Sequence, residues 1–196
     1  MQNNHQSLCI ATLNISGLLS NILYAEHCLN RTDILVIQEH LLYPDSLGFL
    51  QTFHEDFTGW GRSCNNLKLD SIWRRGKGGI AILWRKTIEK NIEKLTEIGT
   101  DRIMAIWFKT TEKLDLYIIC VYLPSSNSPA NEFRKTVEEL EDVINQLYNR
   151  GTIMVLGDFN CHIGTFGGQS SKKNYSSKYY IYYYILVVYA VYTKHC

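Results

Sequence analysis

Several apolar runs in the chain stop at a polar residue. Residues 8–13 alternate loosely between apolar and polar positions and predict a strand that ends at Asn14. Residues 34–37 form a continuous apolar run, which is typical of a strand buried on both faces, and this run ends at Gln38 and Glu39. Both patterns predict a strand whose last residues present polar side chains at one end.

Two later runs follow the same design. Residues 114–122 predict the longest strand of the chain, which Pro124 brings to an end. Residues 153–156 predict another strand, after which a loop begins that carries Asp158 and Asn160. If these strands belong to sheets that share one edge, their polar ends converge there.

Two segments have the spacing of amphipathic helices. Residues 18–29 carry apolar side chains near helical spacing, with Ser16 as the expected N-cap. A second helix is predicted from a Ser128 cap, with Pro129 in its first position, to Gly151. The apolar residues of the second helix recur at intervals of three and four, so it is the better defined of the two.

The remaining elements are mostly strands. Residues 78–84 and 102–108 predict two more, and residues 40–76 are assigned to loops and short strands because turn formers and aromatic residues dominate there. Strands outnumber helices, and helices separate only some of them. This order favours an α/β layered sandwich over a parallel sheet of alternating strands and helices.

Composition narrows the class of protein. The 196 residues suffice for one domain, or for most of a larger one, and 45% hydrophobic with 20% charged residues is ordinary for a globular chain. Residues 1–170 hold 16 basic and all 19 acidic residues, a net charge of −3. Nucleic-acid binding would therefore rest on a local basic patch and not on the overall charge.

Cysteine usage and the N-terminus bear on location. The six cysteines lie far apart without a CxxC pair, which favours buried free thiols in a reducing compartment. The first six residues are polar and lack the apolar core of a signal peptide. The expectation is an intracellular protein, nuclear or cytoplasmic and not secreted, that does not associate with membranes.

The composition changes near residue 170. Residues 171–196 hold eight of the 13 tyrosines, four lysines and no acidic residue. The uncharged run 179–192 has 14 residues, fewer than the roughly 18 needed to span a bilayer. We therefore place a Tyr-rich tail over residues 169–196, after a domain whose bounds, residues 7–168, rest on the family resemblance described below. Our hypothesis is that the tail is not evolved domain sequence.

The polar strand ends carry a recognisable chemistry. The carboxylate of Asp158 can take a proton from an attacking water, and the amide of Asn160 can hold that water or a phosphate oxygen. Glu39 is placed to bind a hard cation such as Mg²⁺ through one carboxylate, with water and substrate phosphate completing the shell. Tyr122, with Asn127 nearby, can donate a hydrogen bond to the phosphate. Together these residue types predict a metal-dependent phosphodiesterase.

Other polar residues allow two interpretations. The loop that contains Arg74, Arg75 and Lys77 has the composition of a phosphate-backbone contact, or of a solvated basic turn. Arg102, at the start of a strand, is predicted to be structural. His162 follows the Asp158 loop and either approaches the substrate or packs elsewhere.

Five stretches carry a family resemblance through their order and spacing. They are Ala-Thr-Leu-Asn-Ile-Ser-Gly-Leu (11–18), Asp-Ile-Leu-Val-Ile-Gln-Glu-His-Leu (33–41), Gly-Lys-Gly-Gly-Ile-Ala-Ile-Leu-Trp (76–84), Val-Tyr-Leu-Pro-Ser-Ser-Asn-Ser (121–128) and Leu-Gly-Asp-Phe-Asn-Cys-His-Ile-Gly (156–164). In this arrangement the chain resembles the endonuclease/exonuclease/phosphatase superfamily. The likeness is greatest to the apurinic-like endonuclease domains of non-LTR retrotransposons.

The resemblance implies a fold and a set of roles. The expected fold is a four-layer α/β sandwich, with two packed mixed sheets flanked by helices, and the expected activity is Mg²⁺-dependent hydrolysis of DNA, with Mn²⁺ as an alternative cofactor. By position, Glu39 resembles the metal ligand and Asn14 its neighbour in the metal site. Tyr122 resembles a phosphate contact, Asp158 the residue that activates the nucleophile, and Asn160 its orienting partner. DNA is the expected partner, without an obligate protein partner.

Two departures from the family pattern stand out. Ser16 occupies a position where many apurinic-type relatives have an Asp. A closing Asp and a Ser-Asp-His-type motif have no counterpart, since no acidic residue follows Asp158 and His195 is the only histidine after His162. A positioned acid–base group contributes about 10²–10⁴ in rate. We therefore expect a sandwich that is incomplete at its C-terminus and a chain that is nearly inactive.

Three hypotheses about function remain open. The first is descent from a DNA-nicking endonuclease domain of a retroelement. The second is a phosphatase or phospholipase branch of the same superfamily. The third is a non-catalytic remnant that at most binds nucleic acid or protein weakly.

Overall fold

A computed structural model describes residues 8–64, 76–110, 115–125 and 127–160. These residues form eight strands and two α-helices. In chain order the elements are β1 (Ile10–Asn14), α1 (Ile22–Leu29), β2 (Ile34–Gln38), β3 (Phe57–Arg62), β4 (Ile80–Arg85), β5 (Ile92–Lys94), β6 (Ile103–Phe108), β7 (Leu116–Tyr122), α2 (Ala130–Leu147) and β8 (Thr152–Asp158). Two 3₁₀ segments, Pro44–Gln51 and Lys86–Asn91, precede β3 and β5.

The strands form two four-stranded mixed sheets. In the first sheet the order is β1-β2-β4-β3, where β1 runs parallel to β2 and the other pairs are antiparallel. In the second sheet the order is β5-β6-β7-β8, where only β7 and β8 are parallel. Each sheet thus contains one parallel pair whose two strands end at the same edge.

Three apolar layers hold the sheets and helices together. The alternation within β2 shows how they are built, because Ile34 and Val36 enter the layer between the sheets while Leu35 and Ile37 face α1. On the outer face of the second sheet, α2 packs its buried residues Leu140, Val143, Ile144 and Leu147. The order helix, sheet, sheet, helix confirms the predicted four-layer α/β sandwich.

Strand register brings the predicted polar ends to one edge. Asn14 is paired with Gln38 at the ends of β1 and β2, and Tyr122 with Asp158 at the ends of β7 and β8. β3 ends at this edge as well, since Arg62 is paired with the first residue of β4. The edge therefore collects strand ends from both sheets.

The helix boundaries differ from the prediction. α1 begins at Ile22 and not at residue 18, and Asn21 stands at the cap position in place of Ser16. Ser16 is unsuited to the cap because its φ is 49° and its N–H donates to the side chain of Asn14. α2 begins after Pro129 without a side-chain cap from Ser128, and it ends at Leu147, before Gly151.

Some predictions lie outside the described residues. These are Arg74, Arg75, His162 and the Tyr-rich tail, so the division at residue 168 stays a prediction. The four described cysteines, Cys9, Cys28, Cys64 and Cys120, are free thiols, but the prediction that they are buried holds fully only for Cys120, and Cys9 is exposed. Within the described ranges, neither helix combines the length and the apolar character that crossing a membrane requires.

Candidate active site

The side-chain amide of Asn14 joins two carboxylates from different sheets. Its Nδ2 donates to Oε1 of Glu39 and to Oδ2 of Asp158, each at 2.8 Å. Its Oδ1 accepts the backbone N–H of Ser16 at 3.1 Å, which fixes the orientation of the amide. Because both carboxylate oxygens contact one nitrogen, they lie less than twice that bond length apart and face the same small volume.

The backbone around Glu39 is held in a conformation that side chains rarely adopt. Its φ is 57°, and that of Leu41 is 59°. A non-glycine residue in this region costs on the order of 1–3 kcal/mol and persists only where neighbouring contacts impose it. Here the carbonyl of Glu39 accepts the N–H of Gly17 at 2.8 Å, and the N–H of Leu41 donates to Gly78 at 2.9 Å. The carboxylate is therefore presented by a loop that is fixed on both sides.

His40 fixes the same loop from inside. It is 1% exposed, its Nδ1 accepts the N–H of Leu42 at 2.9 Å, and its Nε2 lies 3.0 Å from the carbonyl of Arg62. The Nδ1 acceptor role assigns the proton to Nε2. Burial lowers the pKa of His40 from 6.5 to about 4, against the opposing effect of its hydrogen bonds to backbone groups. The ring is thus a neutral part of the loop and not a proton carrier at neutral pH.

Tyr122 closes the site from the second sheet. Its hydroxyl donates to Oε1 of Glu39 at 3.0 Å, the oxygen that also contacts Asn14. Burial, followed by the charge and the hydrogen bond of Glu39, raises the pKa of Tyr122 to about 12, while Arg102 acts in the opposite direction. The phenol therefore remains protonated and able to donate throughout the physiological range.

Asp158 and Asn160 form a compact turn at the end of β8. Oδ1 of Asp158 accepts the N–H of Asn160 at 2.9 Å, and the φ of Asn160 is 45°. The amide of Asn160 donates to the carbonyl of Leu123 at 2.7 Å, and Leu123 in turn donates its N–H to the carbonyl of Asp158 at 2.9 Å. These bonds tie the Asp158 loop to the segment that follows Tyr122.

A buried polar contact joins the sheets beneath the site. Gln38 is 1% exposed and its Nε2 donates to Oγ1 of Thr12 at 3.1 Å within the first sheet. The same Nε2 lies 3.6 Å from Sγ of Cys120 in β7, and that thiol lies 3.7 Å from the carbonyl of Ile37. Burial raises the pKa of Cys120 to about 12, so the thiol stays protonated and can donate. The residue before Glu39 is therefore linked to both sheets.

The donor atoms suit a hard divalent cation. Glu39 and Asp158 supply carboxylate oxygens at one point, and Mg²⁺ in proteins is typically held by one or two carboxylates together with water and substrate phosphate. Within the ranges that the structure describes, no three residues of the types His, Cys, Asp and Glu form a metal-holding group. The residues present fit a cation bound largely through water and substrate.

Comparison with known proteins identifies the family. A sequence profile of the Endonuclease/Exonuclease/phosphatase family matches residues 11–181. The chain belongs to this family. Its members are hydrolases such as nucleases and phosphatases, and the family nucleases generally use divalent metal ions. The superfamily predicted from the sequence motifs is confirmed.

Solved structures share the fold of this Endonuclease/Exonuclease/phosphatase family chain. A 3′ phosphatase, NExo from Neisseria bound to a product DNA hairpin, is 20% identical with a TM-score of 0.56, and the match covers 79% of this chain and 58% of that one. The AP endonuclease LMAP from Leishmania major is 14% identical with a TM-score of 0.58, over 77% and 54% of the two chains.

A retroelement domain also shares this fold. The endonuclease domain of TRAS1, a telomere-specific non-LTR retrotransposon, is 12% identical with a TM-score of 0.52, over 80% of this chain and 61% of that one. The chain thus spans less than two thirds of the length of these structures. No curated protein sequence matches it.

The remaining predicted residues of this family member lie in exposed loops or outside the described ranges. Asn127 is exposed in the turn before α2, and Lys77 is exposed in the loop before β4. Arg74 and Arg75 fall outside the described residues. The structure brings Asn14, Glu39, Tyr122, Asp158 and Asn160 together, as the strand pattern predicts.

Sequence reasoning missed two side chains that support the site. His40 follows Glu39 directly, and its neutral, buried role has no signal in the pattern of apolar residues. Arg102 was predicted to be structural, and what sequence reasoning missed is its contact with the Tyr122 ring, whose centroid lies 5.4 Å from the guanidinium. Arg102 also pairs with Glu132 at 2.7 Å. The sequence signal for the contact between Arg102 and Tyr122 is weak: it is a basic residue at the start of one predicted strand, next to the strand that ends at Tyr122.

Proposed function

We propose that the chain is built for Mg²⁺-dependent hydrolysis of phosphodiester bonds in DNA, as a nicking endonuclease of the retroelement type. The observation that carries this proposal is the bridge from Asn14 to the carboxylates of Glu39 and Asp158. One amide thereby holds the proposed cation ligand and the proposed general base, which come from two different sheets, at a fixed separation.

Glu39 is the proposed ligand, with Mn²⁺ able to take the place of Mg²⁺. A bound cation neutralises negative charge on the phosphate oxygens as it builds up. Asn14 positions the carboxylate of Glu39 through the N–H of its side-chain amide, while the oxygen of that amide accepts the backbone N–H of Ser16. Asn14 therefore acts in this proposal chiefly by holding the two carboxylates at a fixed separation, next to the cation.

Asp158 is the proposed general base. It accepts one proton from the attacking water, the water oxygen bonds to phosphorus, and one phosphorus–oxygen ester bond breaks with the leaving oxygen protonated from solvent. The hydrogen bonds from Asn14 and from the backbone of Asn160 hold each carboxylate oxygen of Asp158 in a defined direction. Asn160 orients this residue and the water that it activates.

Tyr122 is the proposed phosphate contact. Because its pKa is raised to about 12, its hydroxyl is a donor at every pH at which the protein would work. In the structure its single hydroxyl proton is donated to Glu39, and a phosphate bound next to Glu39 would have to take over this hydrogen bond. A donor in this position stabilises the charge that develops on a non-bridging oxygen.

DNA is the proposed substrate for two reasons. The structural relatives include a phosphatase bound to a DNA hairpin, an AP endonuclease and a retrotransposon endonuclease domain. The basic residues Arg74, Arg75 and Lys77, together with Asn127, would supply local contacts to the phosphate backbone in a part of the chain, residues 1–170, whose net charge is negative. We propose these four residues as substrate contacts.

A second candidate is a remnant that binds metal and nucleic acid without turnover. One observation favours it, because residues 159–196 contain no Asp or Glu. That part of the chain therefore supplies no carboxylate to assist catalysis. Without one, Glu39 and Asp158 would bind a cation and a phosphate but would hydrolyse the substrate poorly.

Plasmid nicking tests the proposal. Supercoiled plasmid is incubated with the protein and Mg²⁺, with chelator in a parallel sample, and the relaxed form is quantified on a gel. Glu39→Gln and Asp158→Asn are the matched variants, since each preserves shape and removes a charge. The wild-type chain is expected to nick only slowly, because no acidic residue follows Asp158. Each variant is expected to nick about 10²-fold or more slowly still.

The other outcomes separate the alternatives. Metal-dependent retention of DNA without nicking supports the binding remnant. Hydrolysis of a phosphoinositide or of sphingomyelin, with the plasmid intact, supports the phosphatase or phospholipase branch. Nicking that survives both substitutions overturns the assigned site.

A further inference from the structure

The guanidinium of Arg62 ties one sheet to the other at the site edge. Arg62 is the last residue of β3 in the first sheet. Its Nη1 donates to the carbonyls of Thr100 at 3.0 Å and Ile103 at 3.3 Å, and its Nη2 donates to those of Thr96 at 2.7 Å and Ile98 at 2.8 Å. The two terminal nitrogens are thus directed at backbone oxygens of one loop and of Ile103, the strand residue at which that loop ends.

That loop belongs to the second sheet. It connects β5 to β6, and its own turn is closed by the N–H of Thr100 donating to Ile103 at 2.8 Å. Arg62 also stacks on Trp60, with its guanidinium 5.3 Å from the ring centroid, so an aromatic face holds the same group that makes the hydrogen bonds. A fork of four bonds to a folded loop fixes direction as well as distance.

The backbone of Arg62 reaches Glu39. Its carbonyl accepts the Nε2 proton of His40 at 3.0 Å, and His40 is the residue after Glu39. The N–H of His40 and the N–H of Leu41 both donate to the glycine pair 78–79 before β4. A displacement of Arg62 is therefore transmitted to the loop that presents the Glu39 carboxylate.

The loop held by Arg62 reaches Tyr122. Arg102 lies in this loop, its carbonyl accepts the N–H of Tyr122 at 2.9 Å, and its guanidinium packs on the ring of Tyr122. The hydroxyl of Tyr122 in turn donates a hydrogen bond to the carboxylate of Glu39 at 3.0 Å. The contacts close a ring that runs from Glu39 through His40, Arg62, the loop, Arg102 and Tyr122 back to Glu39.

We propose that Arg62 is a positioning residue that sets the separation of Glu39 from Tyr122 and Asp158, and with it the affinity of the site for a divalent cation. The proposal rests on the function proposed above, because it takes Glu39 as the cation ligand. Among the described residues, the guanidinium of Arg62 donates to backbone oxygens and stacks on an aromatic ring. It acts through His40 on one side and Arg102 on the other.

Lysine cannot take over this role. Its ammonium group has three donors around one point and no planar fork, so it cannot serve four carbonyls spread along a loop. Arg62→Lys keeps the charge and most of the apolar stem while it removes the fixed geometry.

Arg85 offers a matched control. It lies at the opposite end of the β3–β4 pair, with its guanidinium 4.8 Å from the centroid of the Phe57 ring and its Nε 3.1 Å from Asp33. Its Nη2 also donates to the carbonyl of Leu29 at 3.4 Å. Arg85→Lys thus changes an arginine of similar surroundings whose partners all belong to the first sheet and its helix.

The first measurement is Mn²⁺ binding by the full chain, followed by the electron paramagnetic resonance signal of free Mn²⁺. Arg62→Lys is expected to lower the affinity about 10-fold, the lower end of the range for residues that orient metal ligands. Arg85→Lys is expected to stay within about twofold of wild type. Glu39→Gln identifies the site, since it should abolish the same binding.

The second measurement is backbone hydrogen exchange without metal. In Arg62→Lys the amides of Leu41 and Tyr122 should exchange about 10-fold faster than in wild type, while Arg85→Lys leaves them unchanged. Equal behaviour of the two lysine variants in both measurements overturns the positioning role. If wild type and Glu39→Gln bind Mn²⁺ alike, the cation site of the proposed function is wrong, and exchange alone decides whether Arg62 links the two loops.

Discussion

His40 should make the protein sensitive to mild acid. The ring is buried, and its Nδ1 accepts the N–H of Leu42, so protonation of that nitrogen removes an acceptor and places a charge in the core. The pKa of His40 in the folded protein is about 4, against 6.5 for an ordinary histidine. The unfolded chain therefore takes up this proton first as the pH falls.

Proton linkage gives the direction and the size of the change in stability with pH. Because the folded pKa is depressed, the contribution of His40 to stability is complete above about pH 6.5 and is lost as the pH falls from 6.5 toward 4. Between pH 7 and pH 5 the loss amounts to about 2 kcal/mol. For a domain of this size it corresponds to a fall in Tm of about 4–8 °C.

Urea unfolding at several pH values between 7 and 4.5 measures the effect, and His40→Gln isolates it from the carboxylates. Glutamine can accept from Leu42 and donate to Arg62 without taking up a proton. The variant is expected to be less stable at pH 7 but to lose about 2 kcal/mol less than wild type on acidification to pH 5. His27→Gln, on the exposed side of α1, controls for removal of a histidine as such. The reasoning is refuted if His40→Gln loses stability with acid as steeply as wild type.

Two further predictions concern packing. Gly79→Ala should lower the free energy of unfolding by about 2–3 kcal/mol, because Gly79 has a φ of 87° and an added Cβ would lie 2.7 Å from Nε2 of His40. Gly48→Ala, with nothing within 4 Å of its added Cβ, should change the free energy of unfolding by less than about 1 kcal/mol. Equal effects of the two variants in chemical denaturation would contradict the close packing at Gly79. Leu147 is fully buried under the second sheet, so Leu147→Ala should lower the free energy of unfolding by about 2–5 kcal/mol, whereas Leu23→Ala, at a residue that is 77% exposed, should lower it by at most about 0.5 kcal/mol. Thermal unfolding of both variants measures the difference, and a similar Tm for the two would contradict the burial of Leu147.

The sequence predicted most strands because their signal is local. The run 34–37 is apolar on both faces, and the structure buries both faces of β2. β5 escaped prediction because it has only three residues and an Ile-Glu-Lys sequence, so it exists by pairing with β6 and not by its own pattern. The start of α1 was misplaced because apolar residues before Ile22 belong to the turn that follows Asn14, where Leu18 is buried without being helical.

The polar strand ends were also predictable, since parallel neighbours finish at one edge. Their contacts across the sandwich were not, because hydrogen bonds such as that between Asn14 and Asp158 join residues 144 positions apart in different sheets. Periodicity shows which face of a strand is buried, but not how two sheets are rotated and shifted against each other. The same limit hid Arg62, whose partners are backbone oxygens that carry no side-chain signal.

The division of the site between two sheets has a physical consequence. Asn14 and Glu39 come from the first sheet and its following loop, and Tyr122 and Asp158 from the second sheet. Neither sheet alone therefore contains the proposed cation ligand together with the proposed base and phosphate contact. An apolar layer between sheets resists separation but is weakly directional. Directional contacts must therefore fix the relative position of the sheets at this edge, and the polar groups of Gln38 and Arg62 supply them on either side of Glu39. Burying these polar groups costs desolvation free energy, and their contacts hold the two carboxylates of the site at a fixed spacing.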